Sequence, residues 1–142
     1  MSYSLSFTKA ILVVIFISDK IRQGQNEFLS TTVISEMLNI PRPTLVKILQ
    51  HLSAAGMIQT KEGKHGGIRL MQDPAEITIL DIFEAIEKGK PLFQTSFDIF
   101  ATGKRPNNAQ VAILDLFEKT EEKMKTGLAQ KTIAQVLDEM DG

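Results

Sequence analysis

The sequence of 142 residues contains no cysteine. Disulfides and thiolate-based sensing are thereby excluded, because both need a sulfur nucleophile. It has only two histidines, His51 and His65, and neither has an acidic partner at a spacing that suits a metal site or a catalytic triad. Long apolar runs are also missing. Ala10 to Ile17 is an unbroken run of eight, against the roughly 20 residues that a bilayer crossing needs. Lys9 precedes that run, but no small-residue cleavage site follows and Ser18-Asp19-Lys20 begins a polar helix end. Neither a membrane span nor an export signal is expected, and the lack of cysteine suits the cytoplasm. No phosphate-binding glycine loop or dinucleotide fingerprint occurs, so no enzyme activity and no cofactor are expected.

An excess of one charge is absent too: the formal net charge is −1. It is nonetheless unevenly divided. Residues 1–72 hold eight Lys/Arg against four Asp/Glu, and residues 73–142 hold eight against thirteen. The basic first half points to a polyanionic partner. Ala10 to Ile17 reads as a helix apolar around most of its circumference, expected to be buried on two sides, by the winged domain and by a second subunit.

What the chain does contain is most concentrated between residues 30 and 71. Ser30 is a plausible N-cap for a first short helix, whose Ile34, Met37 and Leu38 are expected on one core face. Asn39 suits a left-handed helix end, and Pro41 and Pro43 suit a helix start. In the second helix, Arg42 to Ala54, Leu45, Ile48, Leu49 and Leu52 form an i, i+3, i+4, i+7 stripe. Arg42, Thr44, Lys47, Gln50 and His51 fall mostly on other faces, where they are candidates for a DNA groove. Two helices joined by Asn39-Ile40-Pro41 have the form of a helix-turn-helix. Gly56 then ends the second helix, and Met57 to Lys61 and Ile68 to Met71 alternate apolar with polar around a glycine-rich tip, as a hairpin does. Lys61, Lys64, His65, Gly66 and Arg69 give this hairpin a basic, closely approachable surface for phosphates or a minor groove. An ordinary solvated hairpin would carry the same pattern; its position directly after a helix-turn-helix favours DNA contact.

The second half reads as a connector and helices. From Asn108 to about Leu128 a long helix is expected, with Ile113, Leu116, Phe117 and Met124 among the residues of one apolar face and Val111 and Leu114 on a second. Asp115 with Lys119 and Glu121 with Lys125 are i, i+4 pairs that mark its solvent side. Two apolar faces exceed what one small chain buries, so this helix is assigned to a homodimer interface, with an internal core helix as the alternative. Thr132 and Gln135 stand at capping-box spacing for a last short helix, expected near that interface. Gly89 to Asn108 is an aromatic connector ending in the breaker-rich loop Gly103 to Asn108. Its Leu92, Phe93, Phe97 and Phe100 either line an effector pocket, for a small molecule or a protein, or simply fill volume.

The segments Ile34-Ser35-Glu36-Met37-Leu38-Asn39-Ile40-Pro41, Leu45-Val46-Lys47-Ile48-Leu49, Ala55-Gly56-Met57-Ile58, the glycine-rich wing and Ile77-Thr78-Ile79-Leu80-Asp81-Ile82 together resemble the Rrf2 family of bacterial transcription regulators. The resemblance runs from about Ser4 to Gly89. It implies a mostly α fold with a small β-wing: a winged helix-turn-helix domain over 1–89, a connector over 90–107 and dimerisation helices over 108–142. It further implies a homodimeric regulator, a repressor, on a palindromic double-stranded operator. Family members that carry an iron–sulfur cluster place three cysteines after the Asp81 helix, and this chain has none there. Glu62 stands where many members have an arginine, and Thr44 where an aromatic residue is common. A second reading is a winged-helix module that docks on another protein with little DNA affinity of its own.

Overall fold

Helix α1 (Leu5–Arg22) runs through the middle of the fold because its apolar residues wrap most of its circumference. Ala10, Val13, Val14 and Ile17 are fully buried, and Ile11, Ile15 and Phe16 pack against the same core from partly covered positions. Buried Ser18 is satisfied within the helix, its Oγ donating to the Val14 carbonyl at 2.6 Å. The structure is a computed structural model, describing residues 5–24, 28–95 and 98–142. Leu5 and Leu12, one heptad apart, leave an apolar edge of α1 open.

Helices α2 (Thr31–Leu38) and α3 (Arg42–Ala54) form where the local signals put them. Ser30 Oγ accepts from the Val33 amide, and Asn39 takes φ 52° and ψ 47°, the left-handed conformation that an asparagine tolerates. The chain then re-enters a helix at once, since Pro43 falls in the first turn of α3, where a missing N–H is harmless. Leu45, Ile48, Leu49 and Leu52 are buried as expected. Met37 is not: it is 64% exposed, while Ile34 is buried and Leu38 half-buried. A two-turn helix presents only a narrow stripe, and Met37 lies about 80° from the midpoint of the other two at 100° per residue.

Strands β1 (Ile58–Lys61) and β2 (Gly67–Leu70) make the wing, antiparallel, with Ile58 opposite Leu70 and Lys61 opposite Gly67. A third extended segment joins them, which the sequence pattern did not indicate. Leu29 and Ile68 exchange amide–carbonyl bonds of 2.8 and 2.7 Å, so residue 29 edges the wing. Gly67 makes this approach feasible. At φ +142° its missing Cβ would sit 2.2 Å from the Leu29 carbonyl oxygen, a collision for any other residue.

After a 3₁₀ turn at Pro74–Glu76, α4 (Ile79–Glu87) starts on a full capping box, Thr78 Oγ1 accepting from the Asp81 amide and Asp81 Oδ2 from the Thr78 amide. Its Ile82, Phe83, Ala85 and Ile86 are buried, and Phe83 meets Phe7 of α1 edge-on at 5.3 Å.

Helix α5 (Lys104–Ala129) begins four residues before the expected Asn108. The supposed breaker loop is already helical because Gly103 caps it at positive φ and Pro106 falls in the first turn. None of its residues is buried within the protomer. The Asp115–Lys119 pair forms at 2.9 Å. Glu121 and Lys125 turn elsewhere: Lys125 reaches Glu84 of α4 at 3.3 Å, and Glu121 accepts from the Leu92 amide.

Helix α6 (Ile133–Met140) has the expected Thr132–Gln135 capping box. It returns to the first half of the chain: Ile133 and Leu137 are buried in the common core. The Ile133 amide donates to the Ile77 carbonyl at 2.8 Å and the Ile79 amide to the Lys131 carbonyl at 3.0 Å. Arg22 of α1 bridges Asp138 and Asp141 at 3.3 and 3.0 Å. The result is a mostly helical fold with a two-stranded wing and one long helix leaning on α4.

Candidate nucleic-acid interface

A flank of α3 beside its core stripe looks onto the wing. Arg42, Val46, Gln50 and Ser53, at i, i+4, i+8 and i+11, line a groove of about 850 Å³ whose far wall is the hairpin tip. Lys61, Lys64 and Gly66 stand on that wall, and Ser30, Thr31 and Thr32 close one end at the start of α2. Arg42, Lys61, Lys64 and several hydroxyl residues thus line it, with Glu62 the one carboxylate among the lining residues. Such a groove can accept a polyanionic backbone, since guanidinium, ammonium and hydroxyl groups all donate to phosphate oxygens.

Of the ten residues singled out in the sequence, Arg42, Gln50, Lys61, Lys64 and Gly66 are brought together in this groove. Lys47 is exposed on the outer side of α3, and His65 is exposed at the hairpin tip. Thr44 is half-buried. His51 faces another way: it lines a separate cleft of about 530 Å³ with Asp81 and Glu84 of α4 and with Lys88 just after it. Arg69 lies along the wing, Nε donating to Gln59 Oε1 at 2.7 Å and the guanidinium 5.1 Å from the Phe28 ring. Ser30, Thr31, Thr32, Val46, Ser53 and Thr60 also line the groove and were not singled out. A search for charge passes over hydroxyls, although the run Ser30-Thr31-Thr32 at a helix start is a readable sign of amide and hydroxyl donors.

Along α5, Ile113 and Leu116 are exposed, as are Val111 and Leu114, while Phe117 and Met124 are half-buried. Phe117 is covered from within the protomer, its ring stacked on Phe93 at 4.3 Å and 20°. This stack borders a cavity of about 310 Å³ that Pro91, Thr95, Leu114 and Glu121 also line. Of the connector residues expected to act together, Phe93 lines the cavity and Leu92 is half-buried, held through its amide by Glu121. Phe100 is 99% exposed, and Phe97 lies outside the described residues.

Residues 3–139 match the profile of the Rrf2 family, described as an iron-dependent transcriptional regulator. An HTH-type transcriptional regulator of Lactococcus lactis, YffB, is 27% identical over 144 aligned positions that cover 98% of this chain and 88% of that protein. The solved structure of T. potens IscR superposes with a TM-score of 0.70 at 18% identity, covering 99% of this chain and 88% of that one. CymR, the global cysteine regulator of B. subtilis, gives 0.67 at 19% identity, with 97% of each chain covered.

Among the described residues the iron of that family description meets no donor set. The chain has no cysteine, residues 88–107 contain neither cysteine nor histidine, and no group of three His, Asp or Glu among the described residues is placed to hold a metal ion. Among the described residues no helix is long and apolar enough to cross a membrane.

Proposed function

The chain belongs to the Rrf2 family of DNA-binding transcriptional regulators, and on that premise we propose that it is a homodimeric repressor working without an iron–sulfur cluster. The observation that carries this reading is the groove between α3 and the wing. A DNA strand seated there lets the exposed face of α3 enter the major groove while the hairpin tip reaches the adjoining minor groove. Arg42 and Lys64 then meet phosphates from both walls, with Lys61 and Arg69 beside them on the outer face of the wing.

Dimerisation is supported by α5, none of whose residues is fully buried within the protomer and which exposes Val111, Ile113, Leu114 and Leu116. Two copies related by a twofold axis put two α3 helices into successive major grooves about 34 Å apart, so the operator is palindromic. Bound across a promoter in the cytoplasm, such a dimer excludes polymerase. For an effector, we propose the cavity beside the Phe93–Phe117 stack, because it joins the connector to α5 and an occupant there biases the spacing of the two α3 helices. A footprint on the DNA upstream of its own gene tests the function. Protection of two half-sites one helical turn apart is expected, and no protection at any concentration would overturn it.

A further inference from the structure

Two cations of the wing share one aromatic ring. Lys61 Nζ lies 5.4 Å and Arg69 Cζ 5.1 Å from the centroid of Phe28. Phe28 precedes Leu29, whose side chain is buried and whose backbone pairs with Ile68. Strand alternation therefore turns Phe28 to the outer face of the wing, the face that also carries Arg69 of β2 and Lys61 of β1. Gly67 stands opposite Lys61 with no side chain to obstruct the reach toward the ring. Arg69 is fixed from a second side by Gln59.

We propose that Phe28 is a positioning residue for DNA binding: its ring presets Lys61 and Arg69 on the wing before any phosphate arrives. The proposal rests on the DNA-binding reading above. Lysine and arginine lose much rotamer freedom when they are immobilised at an interface, and a side chain already held loses less. A cation over a ring face can still donate outward to an anion, since the attraction of the ring uses none of its N–H bonds fully. The ring thus orders the cations without competing for phosphate.

The test is a gel-shift titration of the full chain against its upstream DNA and against a random duplex at low salt, over a series of salt concentrations. Phe28→Leu keeps an apolar side chain but removes the π face; binding to both duplexes is expected to weaken about tenfold, with Phe28→Tyr within about twofold of wild type. The slope of log affinity against log salt should stay as in wild type, because the number of phosphates contacted is the same. Lys61→Ala should cost less in the Phe28→Leu background than in wild type. Unchanged affinity in Phe28→Leu overturns the proposal, and so does a loss that Tyr does not restore or that follows a fall in melting temperature. If wild type itself binds neither duplex, the DNA-binding reading fails and takes this proposal with it.

Discussion

Replacing Leu116 by Asp separates the dimer from the fold of the protomer. Leu116 is 61% exposed on α5, so an aspartate there remains hydrated in an isolated chain and its folding should change little. Within the proposed interface the same carboxylate is covered. An uncompensated buried charge costs about 3–5 kcal/mol. A twofold axis presents the substitution twice, giving at least ~6 kcal/mol, or about four orders of magnitude in the dissociation constant. Sedimentation equilibrium over a concentration series, with circular dichroism melts alongside, reads both quantities. Wild type is expected as a dimer, and Leu116→Asp as a helical monomer with a nearly unchanged melting temperature and no operator binding. Phe117→Asp is the contrasting variant: it also removes the stack on Phe93 at 4.3 Å, so it should lower the melting temperature as well. A Leu116→Asp protein that sediments as a dimer across the wild-type range would refute the assignment of this face.

Lys64→Ala should flatten the salt dependence of DNA binding by about one unit of slope, whereas His51→Ala, whose side chain faces α4, should leave it as in wild type; equal slopes for all three proteins count against the groove. Ile133→Ala should destabilise the entire winged unit by about 2–5 kcal/mol in urea unfolding, because Ile133 is fully buried in the shared core. A separate, early transition confined to the last helix would contradict that. The purified protein should be colourless, and its operator affinity should not respond to air, thiol reductant or iron chelator, since it has no sulfur ligand. A visible chromophore, or a shift on chelation, would count against the cluster-free reading.

Local chemistry was legible in the sequence wherever one turn of chain decides the outcome. Ser30 and Asn39 bracket α2, Thr132 and Gln135 start α6, and the Leu45–Leu52 stripe is the core face of α3, because caps and i, i+4 periodicity depend on neighbours within a few residues. Where side chains had a choice of partner, the pattern was insufficient. Lys125 had Glu121 one turn away and pairs instead with Glu84, and Met37 lies off the stripe that its spacing suggested. His51 and Gln50 are adjacent on α3, yet one faces α4 and the other the wing.

By itself, then, the sequence determined the elements, their order, the basic first half and the impossibility of a cysteine-ligated cluster. Only the tertiary structure decided that α6 folds back onto α1 beside the start of α4, that residue 29 edges the wing through Gly67, and that Phe28 gathers Lys61 and Arg69. The reason is physical: a cap or stripe is selected by local backbone geometry, whereas these contacts join segments far apart in the chain. They are selected by the shape and burial of the whole core, which no short window of sequence contains.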